Sequence, residues 1–454
     1  MTGDALALRT VSGATSRPNP QWLAIRWRIF GFLFGIGFLE YVQQRGLTVA
    51  AEQMMPSLHF TQMQIGWVEQ AFVFGYALFS IPGGMLGQRF GARWSFLAIG
   101  IISVFCIALT VLAPELMSGS LLFVVLYAAQ FLMGAAQAPT FPVSTGVFES
   151  WFPARQWPLV QGMQTMGLGF GAAVAAPLVA NLMITVGWQR ALLWTGLPAL
   201  PLAIWWAWYG RNTPQQHPSV SEAELADLQA LSNREPSSQL NLADFLIILR
   251  DRNVQLLTFA YFSMNYLFYL LGNWCFLYLV QERHFSIVES GWLAVAPPIA
   301  SGLGAGLGGI IASLLYVRFG GRLGLKLTPI TALPLSAIAL LFAVYTNNPY
   351  LAVGMLTLCY GLVELTEGSF WAAAMNVGRS NAMVVGGTMN MGAAVGGVIG
   401  IPIVAYLSGH GLWTEALDLG AVCAVASAIA WCFIDASQEV DAKTDASLIR
   451  DEPA

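Results

Sequence analysis

Charge is what this sequence has least of. Charged side chains make up 10% of the chain and hydrophobic ones 56%. A soluble domain carries roughly 25% charged residues. A water-soluble core cannot hide that much apolar surface, so lipid is expected to cover it. The net charge of -4 excludes the basic footprint of a nucleic-acid binder. Histidine is scarce too. His59, His217, His284 and His410 fall in loops or at the ends of apolar runs, and neither an HExxH nor a GxSxG pattern occurs. That removes the motifs of an intramembrane metalloprotease or serine hydrolase. The five cysteines (Cys106, Cys275, Cys359, Cys423, Cys432) lie inside apolar stretches without metal or disulfide spacing, as small hydrophobes do. No cofactor or metal site is expected, and no enzyme.

What is present is a series of long apolar runs. Crossing the hydrocarbon takes about 20 residues. Twelve spans are predicted: 28–52, 62–86, 94–113, 119–149, 156–184 and 187–209, then 253–281, 287–315, 325–345, 349–377, 379–407 and 411–435. The fold class expected is an all-α membrane protein of twelve transmembrane helices in two pseudo-symmetric six-helix bundles. The bundles are 28–210 and 253–435. A linker (211–252) joins them, with tails at 1–27 and 436–454. Three prolines (Pro214, Pro218, Pro236) and the amphipathic stretch Val220–Leu231 make the linker a surface segment with a short helix. Of the 20 Lys and Arg, all but Arg45, Arg190 and Arg283 fall in the tails or even-numbered junctions. Cationic loops stay in the cytoplasm, so both termini and the linker are expected inside.

The two halves repeat. Met166–Pro177 matches Met391–Pro402 and Gly66-Trp67 matches Gly291-Trp292, both at an offset of about 225 residues; Arg89-Phe90-Gly91-x-Arg93 returns as Arg318-Phe319-Gly320-x-Arg322 at about 229. Repeated halves are how many carriers build a solute site at a shared axis near the midplane. A carrier of a small solute, working as a monomer in the bilayer, is the expectation.

Specific motifs carry a resemblance. Gly83-Gly84-Met85-Leu86-Gly87-Gln88-Arg89-Phe90-Gly91-Ala92-Arg93 resembles the loop between the second and third helices of the major facilitator superfamily. Tyr41 with Leu47-Thr48-Val49-Ala50-Ala51, Phe141-Pro142 with Trp151-Phe152-Pro153, Gly187-Trp188, His217–Ser221, Tyr266-x-x-Tyr269 leading to Trp274, Phe370-Trp371, and Asn390 with Gly396-Gly397 resemble its anion:cation symporter branch. That branch contains carriers of sugar acids and other organic anions. The resemblance runs from about residue 25 to 435. It implies alternating access, an organic-anion solute and a co-transported proton. It also implies gating roles for Gln88, Arg89, Arg93, Arg318 and Arg322. The chain departs from the branch where charges are usual: Gln43 and Gln44 stand at an Asp-Arg pair in the first span, Gln130 and Gln137 at an Arg and a Glu in the fourth, and Gln88 at the loop Asp. Glutamine hydrogen-bonds but cannot titrate. The alternative is therefore a facilitator or exchanger of neutral polar solutes such as sugars or peptides.

Arg45 sits inside the first span, where an arginine costs a few kcal/mol unless it faces protein or water. Guanidinium matches carboxylate with two parallel hydrogen bonds, so Arg45 is the expected anion clamp; a structural pairing with Glu40, or a role as a helix-end anchor, is the other reading. Glu364 and Glu367, three apart, share a helix face. Glu367 stands about 230 residues after Gln137, so the second half carries an acid where the first has an amide. The pair is expected either to bind a coupling proton or cation or to pack as a hydrogen-bonded pair. Tyr266, Tyr269, Asn273 and Trp274 in the seventh span, Trp371 and Asn390, together with Tyr41, Gln44, Gln130 and Gln137, complete the expected solute contacts. Rings with polar tips suit a hydroxylated solute, although core or lipid-belt packing would use the same residues. Gly304-x-Gly306-x-x-Gly309 matches a dinucleotide fingerprint in form only: it follows no strand, so close helix packing is expected instead.

Overall fold

The computed structural model describes residues 20–220, 222, 225 and 242–440, and these are helical almost throughout. The first half comprises α1 (Pro20–Leu58), α2 (Gln62–Leu116), α3 (Gly119–Gln137), α4 (Thr140–Trp151), α5 (Trp157–Gly196) and α6 (Ala199–Tyr209). After α7 (Leu242–Arg250) come α8 (Arg252–Gln281), α9 (Ile287–Leu293), α10 (Ala296–Tyr345), α11 (Pro349–Glu364), α12 (Glu367–Gly378), α13 (Ala382–Gly409) and α14 (Trp413–Phe433).

Among the described residues seven helical stretches are long and apolar enough to cross a membrane, four of them 55 to 61 residues long. At 1.5 Å per residue such a stretch would extend about 80 Å, far beyond the roughly 30 Å of hydrocarbon. They do not run straight. α2 turns at Gly91 (φ 78) and α10 at Gly320 (φ 75), backbone values that only glycine adopts without a Cβ penalty. Across the α10 turn a Cβ on Gly324 would lie 2.5 Å from the Leu315 carbonyl, so the chain doubles back. Gly187 (φ 79) breaks α5 in the same way. The repeated Arg-Phe-Gly-x-Arg motif is therefore a pair of symmetry-related reversals. Arg89 lies over the Phe90 ring and Arg318 over Phe319, at 5.6 and 5.4 Å. This end of the bundle is called the arginine end below.

Three features differ from the sequence reading. Residues 20–27, expected in the tail, begin α1, with Ile25 and Arg26 buried; the Arg26 guanidinium stacks on Phe152 at 5.3 Å, which a flexible tail would not allow. The C-terminal tail is pinned at its start: Ala436 is buried and the Val440 N–H donates to the Val377 carbonyl at 2.9 Å. The 211–252 linker holds α7 and buries His217 between Trp151 and Tyr209. The amphipathic stretch expected at Val220–Leu231, and the outer parts of both tails, lie outside the described residues.

Outward, the helices present apolar side chains. Ile184, Trp208 and Trp292 are each more than 70% exposed, as lipid-facing residues are. Inward they interlock through small residues. In the supposed dinucleotide run, Gly304 sits against the Gly361 carbonyl and Gly309 against that of Pro158, which is helix packing.

Candidate functional site

Two of the remaining helix breaks build the site. α3 ends at Gln137 and α4 starts at Thr140; α11 ends at Glu364 and α12 starts at Glu367. The interruptions are about 227 residues apart, in corresponding places of the two halves. Broken helices at repeat-related positions are where carriers hold solutes and ions. Predicted spans 119–149 and 349–377 crossed both breaks as continuous helices, because Ala138-Pro139 and Leu365-Thr366 are short and apolar in context.

Between the halves lies a cavity of about 440 Å³. α1 contributes Glu40, Tyr41, Gln44, Arg45 and Thr48, α2 adds Tyr76, and α5 adds Thr165. From the second half come Tyr261 and Tyr269 of α8, Tyr360, Glu364, Glu367 and Trp371 of α11 and α12, and Asn390 of α13. At the arginine end the halves meet. Gln88 donates to the Ser380 carbonyl (3.2 Å) and to Asn381 Oδ1 (3.0 Å). A Cβ on Gly162 would lie 2.4 Å from the Ala305 carbonyl oxygen, and one on Gly84 2.4 Å from that of Met383. Ser313 donates to the Arg155 carbonyl. The cavity is therefore shut toward the arginines.

Arg45 lies in the cavity wall and reaches across it: its Nη1 donates to Asn273 Oδ1 in the other half at 2.9 Å. Among the described residues no carboxylate is in salt-bridge contact with it, and the expected alternative, a pairing with Glu40, is not formed. Glu40 instead accepts from the Thr140 hydroxyl at 2.5 Å, at the first residue past the α3–α4 break. Glu367 Oε2 accepts from Tyr261 (3.0 Å) and from the Trp371 indole (2.9 Å). Glu364, 2% exposed and lining the cavity, has no hydrogen bond among the described residues. Asn390 donates to the Tyr76 hydroxyl at 3.0 Å.

Two of the amides in the first half bind each other. Gln137 donates to Gln43 Oε1 (2.9 Å) and Ser103 Oγ (3.3 Å), and Gln43 donates to the Gly196 carbonyl (3.3 Å). Three expected solute contacts stand elsewhere. Gln130 is buried against Thr110 (3.4 Å), Tyr266 packs under Gly400, and Trp274 packs on Trp413; none lines the cavity. On α8, Trp274 stands about 140° and Tyr266 about 60° around the helix from Tyr269. Asn273 enters only through Arg45. Among the residues expected at the gate, Gln88 bridges the halves. Arg93 donates to the Ala207 carbonyl (2.7 Å) and Arg322 pairs with Asp435 (3.1 Å), each within its own half.

Tyr76, Tyr261, Tyr360 and Glu40 line the site without having been singled out as solute contacts. Their sequence signal was weak: tyrosines inside apolar runs read equally as core. Glu40, an acid within an otherwise apolar span, was the one that chemistry could have flagged.

Two repeat-related helical halves, broken helices at their interface and a central cavity carrying polar and charged groups among apolar ones define a membrane carrier rather than an enzyme. The family model of the Major Facilitator Superfamily matches residues 33–386. This chain belongs to that superfamily. Its curated relatives include a probable sulfoacetate transporter of Cupriavidus necator (26% identical, covering 85% of this chain and 88% of the relative) and a probable galactarate/D-glucarate transporter of Escherichia coli (27%; 88% and 91%). A hexuronate transporter of Bacillus subtilis is 26% identical, covering 83% and 86%. These are organic-acid carriers, the branch that the motifs resemble. Among solved structures, the proton:xylose symporter XylE superposes with a TM-score of 0.73 over 94% of this chain and 99% of that one, at 12% identity. The outward conformation of the transporter FucP gives 0.66 over 89% and 98%, at 15%. They share the fold.

Proposed function

We propose that this protein is a secondary carrier of small organic anions such as sugar acids, held in the central cavity by Arg45 and moved by alternating access. Four of the seven apolar stretches fold back on themselves, which makes eleven crossings, and α1 makes twelve. The bundles run from α1 to α6 and from α8 to α14, with the linker between them, both termini and the arginine end in the cytoplasm of a cell membrane. The cavity then opens outward, with Gln88 and the glycine contacts as the closed inner gate. Glu364 and Glu367 are the coupling site for a proton, since the amides at Gln43, Gln44, Gln130 and Gln137 cannot take that part.

The observation that carries this reading is the Arg45 guanidinium in the cavity wall, bonded to an amide oxygen and, among the described residues, in salt-bridge contact with no carboxylate, Glu69 being the acid that feels its charge from further off. A partly exposed arginine facing a cavity inside the membrane is stabilised by an anion it can clasp. The names of the relatives agree with the anionic class. Thermal-shift titration of the purified protein against carboxylates and neutral sugars tests it. Carboxylates should raise the melting temperature in wild type and not in Arg45→Ala. A shift with neutral sugars only would instead favour a facilitator, the reading that the Gln43–Gln137 pair supports.

A further inference from the structure

A second cavity, of about 320 Å³, lies at the arginine end of the second half. Asp251 and Arg252 at the start of α8, Arg322 and Lys326 past the α10 turn, and Phe433 and Asp435 at the end of α14 line it. Its two acids are engaged by donors of their own. Asp251 Oδ1 caps α8, accepting from the Asn253 and Val254 N–H groups at 2.8 and 3.0 Å. Asp435 accepts from Ser437 through Oδ1 and pairs through Oδ2 with Arg322 Nε. The three cations keep donors to spare. The Arg322 side chain is 66% exposed. Lys326 makes one hydrogen bond, to the Cys432 carbonyl at 3.1 Å, and Arg252 makes none with a described residue. The first half has no such opening at the matching turn, because Asn212 fills it. A Cβ on Gly91 would lie 2.3 Å from Asn212 Nδ2, and Asn212 Oδ1 accepts from the Arg93 N–H at 2.9 Å. A Cβ on Gly320 would meet no described atom within 4 Å.

We propose that this second cavity binds the phosphate of an anionic membrane lipid. Guanidinium and ammonium donors around one opening are what a phosphate needs, and basic pockets between membrane helices take acidic lipid headgroups. The apolar flank of the opening favours a lipid over a free anion. Val422, Val425, Ile429 and Phe433 recur at three- and four-residue spacing on α14, so they share one face. Each is at least 40% exposed. That stripe ends at Phe433, in the cavity wall. A diacyl lipid with its phosphate among Arg252, Arg322 and Lys326 lays its chains along the stripe.

Phosphatidylglycerol and phosphatidylcholine with the same acyl chains make the test, titrated in mixed micelles against the purified full chain. The readout is the thermal stabilisation seen in wild type and lost in Arg252→Gln. That variant breaks no hydrogen bond with a described residue and leaves the Arg45 cavity intact. Phosphatidylglycerol should show such a component and phosphatidylcholine should not. A basic residue beside an anionic lipid is worth about fivefold in affinity. Arg252→Gln should therefore weaken phosphatidylglycerol about fivefold, and Arg252→Gln with Arg322→Gln about 25-fold. The preference should shrink as salt rises, because the opening meets water. Arg28→Gln with Arg89→Gln removes two exposed cations of the first half and should cost less than the Arg252, Arg322 pair. An equal loss in that control would mean diffuse attraction to a charged surface and would overturn the site. Inorganic phosphate and glycerol 3-phosphate are the soluble probes. If either shows the Arg252-dependent stabilisation as strongly as phosphatidylglycerol, the cavity holds free anions and the lipid assignment fails. Equal binding of the two lipids, or undiminished phosphatidylglycerol binding in monodisperse Arg252→Gln, overturns it as well.

Discussion

The rings of Phe141 and Trp371 lie 5.5 Å apart, inclined by 34°. Each stands just beyond the break in its own half, and together they close the cavity floor where the two broken helices meet. Trp371 also donates its indole N–H to Glu367, so the same side chain seals the floor and holds the acid. Trp371→Phe should keep the seal and lose the donor: the protein should stay folded while proton-driven accumulation weakens. Trp371→Ala should in addition cost about 3–5 kcal/mol of stability. Thermal unfolding and uptake into proteoliposomes with an imposed proton gradient separate the two effects. Accumulation unaltered in Trp371→Phe would mean that the indole only packs.

Glu367→Gln should uncouple transport, permitting solute exchange without accumulation above equilibrium. A pair that merely packs would lower expression or thermal stability and leave coupling intact. Gradient-driven accumulation in the Glu364→Gln, Glu367→Gln double variant would remove both residues from the coupling path.

Arg45→Ala should abolish carboxylate uptake while the protein still inserts and folds. Arg45→Lys should cost at least tenfold, because a point charge cannot bond a carboxylate and Asn273 with one planar fork. Transport kinetics unchanged in either variant would rule out the clamp.

Gly162→Ala should hinder closure at the arginine end. The added Cβ would lie 2.4 Å from the Ala305 carbonyl oxygen and 2.8 Å from Gly309 Cα, and neither backbone atom can swing aside. Uptake should fall, and a cysteine placed at Ser313 should alkylate faster than in the parent. If both rates match the parent, the helices close without this contact.

Gln215 is exposed on the segment after α6, on the side assigned to the cytoplasm. A cysteine there should resist a membrane-impermeant reagent in intact cells and label after permeabilisation. Rapid labelling of intact cells would invert the topology.

Asp435 ties the end of α14 to the arginine end. Its carboxylate accepts from the Ser437 hydroxyl at 2.6 Å and the Ser437 N–H at 3.1 Å, and pairs with Arg322. The Ser437 hydroxyl bond is the largest cause holding its pKa below the usual carboxylate range. A depressed folded value stabilises above the unfolded pKa, about 4, and that contribution is lost as pH falls through the lower folded value. Between pH 5 and 8 the clasp should therefore be insensitive to pH. Asp435→Asn should cost no more than about 1 kcal/mol, since Arg322 is largely exposed. A melting temperature that depends on Asp435 across pH 5–8 would contradict this.

The scarcity of charge, the repeat offsets and the loop motif determined the class, the two-half plan and the family by themselves, because lipid burial and sequence duplication are written in composition and order. Arg45 and the Glu364–Glu367 pair were legible as well, since a charge inside an apolar span has few physical excuses. What only the tertiary structure decided is who faces whom. Tyr266 and Tyr269 look interchangeable along the chain, yet one packs under Gly400 and the other lines the cavity. Gln43 and Gln137 turn to each other, and Arg45 crosses to Asn273, 228 residues away. Helix pitch sets the angle between neighbours on one helix, but which face becomes the cavity depends on how separate helices dock. That docking is set by glycine contacts and helix breaks between distant segments, which no local pattern encodes.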